Sequence, residues 1–283
     1  MSAITGMVKY QGVIDLKAAK TYVVLALVFF LAIAYGYLLP KFASGILFVY
    51  TKSSYVWMLT TSSIFVTVIA GLVGLLVGAF IGSDVIAQEF ESGTIIKLFS
   101  LPIRRQDIYL GKFIEKFLFS LVLSLIFVLV AIICGYIFSG NQGYFQWLLP
   151  FTMGIVLLII GFSSLGFLFG PLVRQSSFVF GIIFGISLFF MVIYGIIVSK
   201  VGYSYGTFAI PFMNMSLVPG SIMNYAINPS GIFHFVYTSF GNSRAYNIST
   251  WEYMTLNVVF ASIEILFILG LGFILFGKAE LRG

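Results

Sequence analysis

Six long apolar runs constrain this chain more than any other feature. They cover Thr21 to Leu39, Met58 to Gly82, Phe117 to Phe138, Leu148 to Leu172, Phe178 to Ser199 and Met254 to Phe276, and Glu264 is the one formally charged residue among them. A helix rises about 1.5 Å per residue, so roughly 20 apolar residues cross a hydrocarbon core. A barrel would instead show short alternating strands, and lipid tolerates no unpaired backbone, so helices are the expected spanning element. Only 8% of the residues are charged while 60% are hydrophobic, too little charge to cover a water-soluble fold of 283 residues. The expectation is an all-α integral membrane protein, one transmembrane domain over residues 1–283 with six transmembrane helices.

Lysines and arginines orient the runs. With the N-terminus inside, the inner segments carry Lys9, Lys17, Lys20, Lys97, Arg104, Arg105, Lys112, Lys116, Arg174, Lys278 and Arg282, eleven of the fifteen basic residues. Lys41, Lys52, Lys200 and Arg244 fall outside, two of them in a long loop where the rule is weakest. Both termini are therefore expected in the cytoplasm, and the protein in the plasma membrane as a multi-pass chain. Trp57, Trp147 and Trp251 stand just before the second, fourth and sixth runs. In this topology all three mark the outer interface, which indole rings prefer.

The net charge of +6 sits beside apolar runs, which points to lipid headgroups and orientation and not to nucleic acid. Residues 1–20 lack a long apolar core and read as a retained segment, not a cleaved signal. Ile4, Met7, Val8 and Ile14 share one face there, the pattern of an amphipathic helix lying on the inner leaflet. Cys134 is the single cysteine, so no intrachain disulfide is possible. His234 is the single histidine and is remote in sequence from carboxylates, which gives no basis for a metal site or a catalytic base.

Two connecting segments are long. The external one, Lys200 to Glu252, is rich in aromatics such as Tyr203, Phe212, Tyr225 and Phe233, and is expected to be partly helical and interfacial. It holds two glycosylation sequons, at Asn214 and Asn247. The cytoplasmic one, Ser83 to Lys116, concentrates the interaction chemistry. Glu89 and Glu91 precede Gly93, and Ile95, Ile96, Leu98 and Phe99 make a short apolar group before Pro102 interrupts the helix. A second helix restarts near Asp107 and enters the third run. Such a short amphipathic helix can insert its apolar face into a partner's groove. Periodicity alone favours a plainer reading, a linker whose apolar side rests on lipid.

The ordered set Glu89, Glu91, Gly93, Thr94, Leu98, Ser100, Pro102, Ile103, Arg105, Ile108, Gly111 and Lys112 resembles the cytoplasmic segment of type-2 ABC exporter permeases. The resemblance implies that this segment is a coupling helix seated in a cleft of a separate ATPase subunit. It implies partner contacts at Glu89, Glu91, Gly93, Thr94, Leu98, Phe99, Pro102, Arg104 and Arg105. It also implies a second permease copy or close homologue, and ATP and Mg bound by the partner and not by this chain. GFILFGKA, from Gly272 to Ala279, fits a phosphate-loop spacing, but Ala279 stands where a magnesium-binding Ser or Thr belongs and the stretch ends an apolar run. No ATPase activity is expected of the chain itself.

Two rival readings remain open at this point. Glu264, in the translocation path, could carry a proton through a secondary transporter, or it could be a protonated carboxyl bonding between helices. A non-transporting scaffold would use the cytoplasmic loop only for docking. Glycines at four-residue spacing in the second run (Gly74, Gly78, Gly82), the fourth (Gly166, Gly170) and the fifth (Gly181, Gly185) allow close helix approach, within one subunit or along a dimer seam.

Overall fold

The computed structural model describes residues 5–6, 8–9, 12–13, 19–46, 64–100, 103–139, 148–201, 217–222, 225, 232–239 and 242–278. The elements in order are α1 (Ala19–Ile46), α2 (Ile64–Val85), α3 (Ala87–Glu91), α4 (Thr94–Ser100), α5 (Arg105–Ser139), α6 (Leu148–Val173), α7 (Ser176–Val201), β1 (Ile232–Ser239), β2 (Asn242–Ser249) and α8 (Thr250–Lys278). Three stretches, Arg105–Cys134, Leu148–Val173 and Thr250–Lys278, are long and apolar enough to cross a membrane by length and composition. α1, α2 and α7 follow the other apolar runs. Most of the N-terminal amphipathic stretch, Trp57, Pro102, Trp147 and, within the Lys200 to Glu252 segment, residues 202–216 with the Asn214 sequon, 223–224, 226–231 and 240–241 lie outside the described residues.

α6 is the axis of the bundle, buried on nearly every side from Phe151 to Gly170. It takes that place because glycines let a neighbour approach to backbone contact. A Cβ added at Gly166 would stand 1.9 Å from the Gly82 carbonyl oxygen, and one at Gly78 would stand 2.7 Å from the Phe162 Cβ. The ridges on the second and fourth runs are thus spent on each other within the subunit. Gly181 and Gly185 on α7 have nothing within 4 Å of an added Cβ. On the outward faces of α1, α5, α7 and α8, Phe30, Ile137, Phe189, Leu266 and Phe267 are strongly exposed. That inversion of a soluble surface is what an acyl environment solvates directly.

Among the described residues the apolar runs are helical, and one addition lies in the segment between Lys200 and Glu252. β1 and β2 form an antiparallel hairpin, pairing Ile232 with Ser249 through Ser239 with Asn242. The expected helical content is a short segment over 217–222, buried at Leu217 and Val218. The hairpin leads straight into α8. There the Ser249 hydroxyl accepts from the Glu252 amide at 3.1 Å and the Glu252 carboxylate accepts from the Ser249 amide at 3.3 Å, a reciprocal capping box that fixes where the last helix starts.

α5 has 35 residues, about 52 Å of helix. Its apolar run begins only at Phe117, so its first three turns stand clear of that run and form the platform on which the site below is built.

Candidate functional site: the segment from Ser83 to Lys116

The chain leaves α2 at Val85, makes the single turn of α3 and reverses through Ser92 and Gly93 into α4. Gly93 has φ +71°, a left-handed conformation that costs glycine nothing and other residues a Cβ clash. The turn closes with the Ser92 amide on the Gln88 carbonyl at 2.9 Å and the Gly93 amide on the Phe90 carbonyl at 3.3 Å. That explains the glycine in the Glu-x-Glu-x-Gly-Thr run.

The two glutamates are engaged within the chain. Glu89 accepts from the Lys112 ammonium at 2.7 Å through one oxygen and from the Thr94 hydroxyl through the other. Lys112 also donates to the Val85 carbonyl at 3.0 Å, and its side chain is 1% exposed against 15% for Glu89. A lysine buried to that degree requires a paired anion. Glu89 supplies it, and Val85 lends one of the carbonyls that the end of α2 leaves unpaired.

Glu91 turns the other way. One of its oxygens accepts from the Ser176 amide at 3.0 Å and from the Ser176 hydroxyl at 2.8 Å. It therefore caps the first turn of α7 with a negative charge, where free amides and the helix dipole favour one. The Ser176 amide, then its hydroxyl, hold the Glu91 carboxyl below the ordinary value of 4.5. Beside it Arg174, at φ +59°, lays its guanidinium 5.2 Å from the centre of the Phe90 ring.

α4 is amphipathic, and its apolar face turns toward its own chain. Ile95 and Leu98 are buried in a cluster with Val85, Ile86, Ile108, Tyr109, Phe167 and Phe276. Phe99 packs edge-on against Phe276 at 5.6 Å and lies under the Arg105 guanidinium at 4.5 Å. Arg105 in turn donates to the Gly277 carbonyl at 3.3 Å, satisfying an acceptor at the end of α8. Tyr109 bonds the Leu269 carbonyl at 2.9 Å. The outward face of α4 is Ile96, 59% exposed, with Lys97 and Ser100; Arg104 is exposed just beyond.

The structure thus gathers Glu89, Glu91, Gly93, Thr94, Leu98, Phe99 and Arg105 into one bracket and leaves Arg104 at its rim. Glu264 is not among them. It lies on α8, half-buried, beside the stripe of Ala261, Ile265 and Ile268. Residue types alone did not single out Ser176, Tyr109, Phe276, Phe90 or the buried role of Lys112. Lys112 alone among them stands in the ordered set, as a member and not as a buried cation.

The near match to a phosphate loop is regular helix. Gly272 to Lys278 lie in α8, and a Cβ at Gly272 would meet the Phe167 carbonyl oxygen at 2.7 Å. Amides tied into a helix and packed against α6 cannot wrap a phosphate, so these residues do not fit a nucleotide.

Helices this long and apolar, with large apolar side chains on their outward faces, define a membrane protein. The chain matches the family model described as ABC-2 family transporter protein over residues 7–281, and it belongs to that family. That family comprises permeases, not the ATPases they work with. A Bacillus subtilis (strain 168) protein named uncharacterized protein YhcI is 35% identical over 88 residues, 31% of this chain and 27% of that protein.

Proposed function

We propose that the chain is the export permease of an ABC system, six-spanning in the plasma membrane with both ends in the cytoplasm. Two copies, or one copy and a close homologue, form the path, flanked by two ATPase subunits that bind ATP and Mg. The observation that carries this reading is the split of α4: one face is packed onto α5, α6 and α8, and the other offers Ile96, Lys97 and Ser100 to a partner. The apolar Ile96 is the anchor and Lys97 and Arg104 set register, while Glu89, Glu91, Thr94 and Leu98 hold the helix in place. ATP-driven closure displaces α4, and the bracket carries that displacement into the spans. Differential affinity of the ATPase for the two states supplies the driving force.

Ile96→Asp tests it. With the chain co-expressed with an ABC ATPase subunit that co-purifies with the parent protein, the substitution should release that subunit on mild-detergent purification and leave the permease folded. A single interface anchor is worth about 2 kcal/mol or more, roughly thirtyfold in affinity. Undiminished co-purification and stimulated ATP hydrolysis in Ile96→Asp would remove the outward face of α4 from the interface.

A further inference from the structure

A shallow, open pocket lies where the first turn of α1, the last turn of α2 and the lower part of α5 converge. Its polar lining is Lys20, Thr21, Asp84, Gln88 and Lys116. Three of these charges stand at one depth. Lys20 directly precedes the apolar run of α1, Asp84 follows the end of that of α2, and Lys116 directly precedes that of α5. This is the level of lipid headgroups. One turn or less further into the spans the lining becomes Val24, Phe80 and Phe119, apolar walls at the level where acyl chains begin.

Counting Glu115, which pairs with Lys116 but does not itself line the pocket, the charges balance, and that decides the ligand class. Lys20 lies 2.9 Å from Asp84, and Lys116 lies 3.2 Å from Glu115 and 5.8 Å from the centre of the Phe119 ring. A site for an anionic headgroup would carry excess positive charge. Two ammonium groups with a carboxylate between the walls suit a headgroup bearing both signs. The Lys20 and Asp84 side chains are 53% and 21% exposed, and a pair so placed contributes little and re-forms readily around a third group.

We infer that this pocket holds the headgroup of a phospholipid that carries a primary amine beyond its phosphate. The phosphate lies against Lys20 and Lys116, the amine donates to Asp84, and the chains leave along Val24, Phe80 and Phe119. Gln88 belongs to α3, so the bound headgroup also touches the bracket. A phosphocholine headgroup meets the same lysines but has no N–H for Asp84, so the carboxylate is the specificity determinant.

The test is lipid retention by the full-length protein, purified in detergent and read by native mass spectrometry. The probes are phosphatidylethanolamine, its mono- and dimethyl derivatives, phosphatidylcholine and phosphatidylglycerol, with matched chains. Retention should fall along the methylation series by about tenfold in total, one charge-assisted hydrogen bond, with phosphatidylglycerol also below phosphatidylethanolamine. Asp84→Asn should bring phosphatidylethanolamine and phosphatidylcholine within about twofold of each other. The methylation series needs no variant, so the inference stays open to refutation even where Asp84→Asn folds poorly. Equal retention across the series, a preference for phosphatidylglycerol, or an unchanged preference in a folded Asp84→Asn would each overturn it. Soluble glycerophosphoethanolamine should fail to displace the lipid at equal concentration. Displacement would reassign the pocket to a water-soluble phosphoamine.

Discussion

Replacing Lys112 by Met isolates the ion pair at the root of the bracket. Methionine nearly matches the lysine stem in length and volume, so the change removes the ammonium without opening a cavity. Two bonds go, 2.7 Å to Glu89 and 3.0 Å to the Val85 carbonyl. Losing one member of a buried pair costs about 3–5 kcal/mol, mostly because the other charge stays buried without compensation. Glu89 keeps 15% exposure and the Thr94 hydroxyl, which puts the expected loss at the low end, about 3 kcal/mol. Glu89→Gln should cost at least as much, about 3–5 kcal/mol, because it strands the ammonium, the more deeply buried of the two charges. The double variant Glu89→Gln/Lys112→Met should lose only about 2 kcal/mol, less than the sum of the singles, because no charge is then stranded. Denaturant unfolding in one detergent, followed by far-UV circular dichroism, measures all four proteins. A Lys112→Met protein within about 0.5 kcal/mol of the parent, or strictly additive losses, would refute the pair.

The Glu91 cap gives a signature in pH. Its carboxyl is held below 4.5 in the folded chain, so its stabilisation is complete above that value and is lost as pH falls through the folded value. Glu91→Gln should flatten the acid side of the stability profile, Ser176→Ala, which keeps the backbone amide, should flatten it only in part, and the two together should do no more than Glu91→Gln alone. Gly166→Ala should cost up to about 3 kcal/mol, since its methyl would stand 1.9 Å from the Gly82 carbonyl oxygen, whereas Gly181→Ala should stay within about 0.5 kcal/mol in the same denaturant assay.

The helices were legible because hydropathy is a property of each run taken alone. α6 occupies Leu148–Val173 against an expected Leu148 to Leu172, and α7 and α8 extend their runs by a turn or less. The hairpin was not read from the aromatic loop, although Phe233, Phe235 and Tyr237 alternate along β1 as a strand requires. In the segment from Ser83 to Lys116 the residue types were legible and their partners were not. Glu89 and Lys112 are 23 positions apart and Glu91 and Ser176 are 85 apart, so pairing depends on how α3 lies against α5 and α7. Nothing in a linear pattern encodes that angle.

The same geometry reassigns work between the two faces of α4. An apolar helix face beside a membrane suggests docking, yet Ile95 and Leu98 are already committed to the cluster with Tyr109 and Phe276. Leu98→Asp would therefore bury a carboxylate in that cluster and unseat α4, so a loss of coupling in that variant would say nothing about the partner. Ile96→Asp changes only the exposed side. The segment is tied through Glu89 to α5, through Glu91 to α7 and through Phe99 to α8. A force applied at Ile96 is consequently shared by three long helices at once, and Gly93 is the one described position in the segment whose backbone lies in the left-handed region. A bulkier residue there strains the turn between the two glutamates and their helix, whereas a substitution at Ile96 leaves the turn intact.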